Sequence, residues 1–151
     1  MRITLAWLLG LYVSLGCLAV IEPLRAHAAE DPVSVVHVVT VDHRYRIDLM
    51  SAPNPIPMSK YFTLKLAIYD ARAPARPLTD VKLDVAAGMT HGAGHEFMHG
   101  MESSAVVEKS NDGFLVRGLM FHMEGPWTLR VRVHQGAVSD SADLTLPCCG
   151  G

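Results

Sequence analysis

The chain has 151 residues, a formal net charge of −2, and 50% hydrophobic residues. This length favours one domain. The charge leaves no basic cluster with which to bind a nucleic acid or an acidic membrane surface. The three cysteines, Cys17, Cys148 and Cys149, predict no disulfide framework, because neighbouring cysteines rarely meet the geometry of a disulfide.

The first predicted element is an export signal. Arg2 precedes an apolar run of 19 residues, Ile3 to Ile21, and the small-residue site Ala26-His27-Ala28 follows. This order is typical of a signal peptide cleaved after Ala28, which makes residues 1–28 the signal and the periplasm the location. The run is also just long enough to cross a bilayer, so an uncleaved anchor in the inner membrane is the alternative.

Residues 29–147 are predicted to form one domain of short β-strands. Alternating or β-branched runs bounded by turns predict strands at 33–41, 45–50, 61–69, 81–85, 104–108, 113–121, 127–133 and 139–146. Seven to eight strands at this spacing indicate an all-β fold, an antiparallel β-sandwich of immunoglobulin-like type. No sustained helical period follows the signal. Residues 148–151, Cys-Cys-Gly-Gly, are predicted to form a loose tail.

The segment from Met89 to Met101, MTHGAGHEFMHGM, interrupts the strand pattern. It holds three histidines, three methionines and three glycines. The glycines disfavour a helix and predict a loop whose side chains can converge on one point. The predicted metal ligands are His91, His95, Met98, His99 and Met101. The alternative is a flexible loop in which Phe97 and Met98 pack into the core.

A second, smaller cluster follows at residues 120–123. If Trp127 and Leu129 face the core, strand alternation buries Leu119 and Phe121 and turns Met120 and His122 to the other face together. Met120 and His122 are therefore the predicted ligands here. Met123 is a lesser candidate, since alternation favours a role in filling the core.

Imidazole and thioether together are a ligand set suited to copper, and to Cu(I) more than Cu(II). Neither cluster contains a cysteine, which argues against a blue-copper electron-transfer site. The remaining histidines of the domain, His37, His43 and His134, are predicted to be structural or surface residues. Cys148 and Cys149 could capture Cu(I), cross-link to a partner or have no role.

The domain resembles the YtkA-like family of exported β-sandwich proteins between about residues 42 and 146. The resemblance rests on four features: the strand Tyr45–Met50; the strand Phe62–Tyr69 with Asp70 and Pro77-Leu78; the residues Met89, His91 and His95; and the turn Phe121–Trp127 with the alternating Leu129, Val131 and Val133. The turn is similar to a family pattern Phe-x-Met-Pro-Gly-x-Trp, with Glu124 in place of the proline. The resemblance implies a non-catalytic protein of copper handling or respiratory-oxidase assembly, related to the membrane-anchored FixH-like proteins.

The leading hypothesis is a periplasmic copper-binding protein that buffers copper or delivers it to a membrane-bound copper enzyme or transporter. The alternative is an interaction module without a metal, which assists assembly of a membrane complex such as a respiratory oxidase. An enzyme is not expected. No nucleophile and base stand side by side. His95, Glu96 and His99 have the spacing of a His-Glu-x-x-His zinc motif, but the glycines of this segment disfavour the helix on which that motif places its two histidines.

Overall fold

A computed structural model describes residues 36–90 and 96–149, which form nine β-strands and no helix. The predicted signal or anchor at residues 1–28 lies outside the described residues, as do Gly150 and Gly151 of the predicted tail. Among the residues that are described, no apolar helix of membrane-spanning length occurs.

The strands form two antiparallel sheets. One sheet contains, in spatial order, β1 (Val36–Val39), β2 (Tyr45–Ser51), β3 (Phe62–Asp70), β7 (Gly113–Leu119) and β6 (Val106–Ser110). The other contains β5 (His99–Gly100), β4 (Lys82–Met89), β8 (Gly125–Gln135) and β9 (Val138–Cys148). The predicted all-β antiparallel sandwich is confirmed.

The strand order is that of an immunoglobulin-like domain. β2, β3, β7 and β6 follow the order A-B-E-D of such domains, and β4, β8 and β9 follow C-F-G, with β5 in the place of C′. The described part of the chain contains nine strands where seven to eight were predicted. The additional strand β5 has only two residues, too few for an alternating pattern to be visible in the sequence.

The core lies between the sheets and follows the predicted alternation. On β3 and β8 the apolar residues at alternate positions are all buried: Phe62, Leu64, Leu66 and Ile68 on β3, and Trp127, Leu129, Val131 and Val133 on β8. Their neighbours on β8, such as Arg130 and Arg132, lie on the outer face. Each fully buried aliphatic or aromatic side chain contributes about 1.5–3 kcal/mol to folding, so this core accounts for most of the stabilising free energy.

The two ends of the sandwich carry different chemistry. β4 and β9 are both antiparallel to β8. The end of β4 at Met89, the start of β8 at Gly125 and the end of β9 at Cys148 therefore lie together, and we call this the sulfur end. The opposite end, where β8 ends at Gln135 and β9 begins at Val138, we call the aspartate end.

At the aspartate end a single carboxylate, Asp140, links the two sheets. Asp140 is 6% exposed. It accepts hydrogen bonds from Thr40 Oγ1 at 2.5 Å and from the backbone amides of Asp42, Arg44 and Ser141 at 3.1, 3.4 and 2.8 Å. Burial alone would raise the pKa of Asp140, but these hydrogen bonds outweigh it and hold the pKa below its usual value. The buried charge is therefore fully compensated.

Candidate metal site at the sulfur end

The described residues of both methionine and histidine clusters lie at the sulfur end. The first leaves the sheet after Met89, the last residue of β4, and returns in β5, where His99 pairs with Met89. The second lies in the connection from β7 to β8, which ends at Gly125. The sandwich thus brings two segments distant in sequence to one end of the molecule. His91 and His95, predicted as ligands, lie outside the described residues.

The end of the first cluster folds back onto β4. Met98 donates its amide hydrogen to the carbonyl of Met89 at 3.0 Å. Phe97 lies over Gly88 on the outer face, where a Cβ at Gly88 would be 2.5 Å from Cγ of Phe97, so only glycine fits there. The ring of Phe97 also lies 4.8 Å from the guanidinium carbon of Arg130. Phe97 is therefore held by the outer face and not by the core.

Met98 has no place in the core either. Its side chain is 66% exposed, whereas a methionine that serves packing is normally buried. This position differs from the alternative in which Phe97 and Met98 both pack inward. The thioether of Met98 is open to solvent beside His99, which is also exposed.

Met101 is better explained by packing than by metal binding. Its amide donates a hydrogen bond to the carbonyl of Ala87 at 3.2 Å, and Ala87 lies two residues before Met89 on β4. Its side chain is half-buried against the hydrophobic core. It lines a groove of about 340 Å³ at the edge of the sheet, together with Phe97, Gly100 and Ser103.

The connection between β7 and β8 follows the predicted alternation. Leu119 and Phe121 are completely buried, while Met120 and His122 are half-buried. The ring of Phe121 stacks on Trp127 with centroids 4.3 Å apart and an interplanar angle of 5°. Met123 packs against the core, as expected for a residue that fills space. Its carbonyl accepts a hydrogen bond from Trp127 Nε1 at 2.9 Å, which closes the turn.

In this connection, the imidazole of His122 has a buried polar atom that makes no hydrogen bond. Its ring packs against that of Trp127 in a T-shaped arrangement, with the ring centroids 5.5 Å apart and an interplanar angle of 74°. Its Nδ1 atom is buried and has no hydrogen-bond partner. A buried nitrogen left unpaired costs about 1–3 kcal/mol. Such an atom in a folded protein calls for an explanation, and a metal ion is one that also uses the lone pair.

Two further methionines at this end were not among the ligands predicted from the sequence. Met58 forms a bridge with Phe121, and the amide of Ser59 donates to the carbonyl of Phe121 at 2.7 Å. Met58 is 39% exposed. Met89 is 7% exposed and belongs to the core. Met58 stands at the end of a proline-rich connection, and this position was the only sequence feature that pointed to it. It was not predicted as a ligand because it is far in sequence from the two clusters.

Cys148 and Cys149 lie at this end as well, and the structure differs from two expectations about them. β9 does not stop at Leu146 but continues through Pro147 to Cys148, which pairs with Gly125. Proline is tolerated here because β9 is the edge strand of its sheet. Cys148 is therefore part of the sheet and not of a loose tail. Cys148 and Cys149 are also joined to each other through their sulfur atoms, although neighbouring cysteines rarely pair with each other.

The donors gathered at the sulfur end are mainly soft. Within residues 36–90 and 96–149, no three histidine, cysteine, aspartate or glutamate side chains form a group that could hold a metal ion. The thioethers of Met58, Met98 and Met120 and the imidazoles of His99 and His122 are instead spread around the end. His134 is paired with Asp84 at 2.7 Å on β4 and β8, and His37 is exposed on β1, in agreement with their predicted surface or structural roles.

Fold and site together define an immunoglobulin-like β-sandwich with methionine and histidine side chains gathered at one end. Comparison of the chain with protein-family models, with curated proteins and with solved structures finds no match.

Proposed function

We propose that this protein binds copper, Cu(I) in preference to Cu(II), and buffers it or passes it on outside the cytoplasm. The ligands we propose are the histidines and methionines of the two clusters: His91, His95, Met98, His99, Met120 and His122, with Met101 and Met123 as secondary candidates. Copper is the cargo in this account and takes part in no reaction on the protein.

The observation that carries the proposal is the unpaired Nδ1 of His122. A buried imidazole nitrogen without a partner is unfavourable in the metal-free protein. Coordination of a soft cation would use its lone pair, and the neighbouring Met120 supplies a thioether of the kind that Cu(I) prefers. The stacked pair of Phe121 and Trp127 supports the imidazole from behind, so its orientation is already set before a metal arrives.

The exposure of Met98 supports delivery in preference to permanent storage. Its thioether is open to solvent, and the segment that it closes begins at Met89 on the same sheet edge. Ligands on such a connection can exchange with those of a partner, whereas a closed cage would hold the metal. We propose a membrane-bound copper enzyme or transporter as the recipient.

The proposed location follows from the signal-like residues 1–28 and stays a prediction, as does the resemblance to the YtkA-like family. Export would place the protein in the periplasm, and retention of residues 3–21 would attach it to the inner membrane. The mass of the exported protein decides between these two forms. If the protein binds no copper, we favour the alternative, an interaction module without a metal that assists assembly of a membrane complex.

The test is an anaerobic Cu(I) titration against a chromophoric competitor, with Cys148 and Cys149 kept oxidised. We expect one equivalent to bind, and the variant His91→Ala/His95→Ala/His99→Ala to bind it at least about tenfold more weakly, which is the scale on which disturbing a metal site acts. A matched control removes three histidines elsewhere: His37→Ala, His43→Asn and His134→Ala. Asparagine is chosen because His43 has a φ of 54°, which asparagine tolerates.

The control should bind Cu(I) like the unaltered protein. Equal weakening in both triple variants would mean that general loss of histidine, and not the loop, lowers the affinity. Absence of Cu(I) binding by the unaltered protein would end the proposal outright.

A further inference from the structure

Cys148 and Met89 both lie near Gly125, the glycine at the start of β8. Gly125 pairs with Cys148 across β8 and β9. A Cβ at Gly125 would lie 2.9 Å from the terminal methyl carbon of Met89, so the missing side chain makes room for this thioether. Side chains of directly paired residues start about 5 Å apart. The Met89 methyl group is thus no more than about 8 Å from the Cβ of Cys148.

Both cysteines are sheltered at this position. Cys148 is 9% exposed and belongs to the same core cluster as Met89, and Cys149 is half-buried against that cluster. Met123 packs on the same cluster from the β7–β8 connection. These four sulfur-containing side chains therefore all border the core near the start of β8.

We propose that Cys148, Cys149 and Met89 form a second Cu(I) site, which is available only when the two cysteines are reduced. Two thiolates and one thioether are soft ligands, and such ligands select Cu(I) over harder cations. The site uses none of the ligands proposed above for the loop. It can therefore exist without that site, and either proposal can fail alone.

The chemistry needs a reductant, which we take to be a dithiol of an exported thiol–disulfide oxidoreductase. Its thiolate attacks one sulfur of the Cys148–Cys149 bond, and its second thiol resolves the mixed disulfide. The cysteines gain two electrons and two protons, and the oxidoreductase becomes a disulfide. Binding of Cu(I) then displaces the two protons from the thiols. Oxidation of the pair back to the disulfide, by a protein disulfide that is itself reduced, releases the ion.

The sheltered position favours a regulated site over a permanent one. A disulfide at the end of an edge strand is reachable by an oxidoreductase, because Cys149 is only half-buried. The bound metal would nevertheless lie against Met89 and the core, where water has limited access. Reduction would thus switch on a higher-affinity site next to the more exposed loop.

The test compares the oxidised and reduced forms of the full chain carrying Cys17→Ser, so that only the vicinal pair contributes thiols. After removal of excess reductant, Cu(I) is titrated anaerobically while the ultraviolet thiolate-to-Cu(I) charge-transfer absorption is recorded. We expect the reduced form to bind one equivalent more than the oxidised form, with the charge-transfer band appearing only for the reduced form. No mutation of the site is needed for this comparison, so misfolding cannot explain its result.

Variants then assign the ligands. Cys148→Ser/Cys149→Ser should remove the additional equivalent and the band, and Met89→Leu should keep both but weaken the additional binding about tenfold. The loop variant His91→Ala/His95→Ala/His99→Ala should keep the band. Equal stoichiometry in both redox states, without a band, overturns the second site. An unchanged loop affinity in the histidine variant overturns only the first.

Discussion

The two ends of the sandwich solve the problem of buried polar atoms in opposite ways. At the aspartate end the carboxylate of Asp140 accepts four hydrogen bonds, and its charge is compensated within the protein. At the sulfur end the Nδ1 atom of His122 is buried with no partner, and Met98 exposes an apolar side chain to water. One end is thus arranged for stability. The sulfur end is less favourable for the stability of the metal-free protein, and we propose that this arrangement serves metal binding.

The largest effect should come from the aromatic stack at the sulfur end. Trp127→Ala removes a fully buried indole that stacks on Phe121 and contacts His122. We expect a loss of about 3–5 kcal/mol in the free energy of unfolding, the usual range for such truncations. We also expect weaker Cu(I) binding, since the support of the His122 ring is lost. Denaturant unfolding and Cu(I) titration measure the two quantities.

The control for this change is Phe114→Ala, which removes another buried ring, on β7 opposite Leu66. It should destabilise the domain by a similar amount. Its copper affinity, measured where the variant is still folded, should match that of the unaltered protein. Equal copper loss in both variants would show that stability alone governs binding.

A smaller effect is expected from Gly125→Ala at the sulfur end. Gly125 has a φ of 124°, and a Cβ there would press on the Met89 methyl group. Backbone strain and displacement of Met89 together should cost about 2–3 kcal/mol. Gly136→Ala at the aspartate end is the matched control, since Gly136 has a φ of 60° and nothing lies within 4 Å of its Cβ position. We expect about 1 kcal/mol for this variant, so thermal or urea unfolding should rank Gly125→Ala as the more damaging.

At the aspartate end, Asp140→Asn should cost about 2 kcal/mol at neutral pH, because an amide cannot accept all the hydrogen bonds that the carboxylate accepts. The lowered pKa of Asp140 also sets the sign of the pH dependence. The carboxylate stabilises the fold in full above the unfolded pKa of about 3.9, and this contribution is lost as the pH falls through the lower folded value. Asp140→Asn should therefore lose less stability than the unaltered protein between pH 7 and pH 3.

Copper affinity should not respond to Asp140→Asn at neutral pH. A change in Cu(I) binding by this variant would mean that the two ends are coupled, and the separation between a stabilising end and a binding end would be wrong.

The smallest effect on stability should come from Met98→Leu. An exposed side chain of similar volume is exchanged, so the free energy of unfolding should change by less than about 0.5 kcal/mol. The thioether is lost, however, and Cu(I) affinity should fall about tenfold. Met50→Leu is the matched control, since Met50 is also exposed but lies outside both clusters. If both variants bind Cu(I) like the unaltered protein, Met98 is not a ligand.

Most of the fold could be predicted because the inward residues of β3 and β8 alternate without interruption. The turn between β6 and β7 was also visible, in Asn111-Asp112-Gly113. Strand ends also differ from the predictions, since β4 runs to Met89 and β8 from Gly125 to Gln135. Two of the features that escaped prediction have a physical reason. β5 is too short to show a period, and Pro147 was taken as the end of β9, although an edge strand does not need its missing amide hydrogen.

The candidate site was predictable only in part. Alternation correctly predicted that Leu119 and Phe121 are buried, and Met120 and His122 are only half-buried. The approach of Met58 to Phe121, and of Met89 to Gly125, depends on contacts between distant segments, which no local pattern encodes. The unpaired Nδ1 of His122 is likewise a property of its surroundings in the folded chain.

The most direct test of the account measures stability and Cu(I) affinity together in His122→Leu. Leucine fills most of the space of the imidazole and removes the unpaired nitrogen. We predict that the metal-free variant is as stable as the unaltered protein or more stable by about 1 kcal/mol, and that its Cu(I) affinity falls about tenfold or more. A variant that is less stable by more than about 1 kcal/mol and binds Cu(I) as before would contradict the claim.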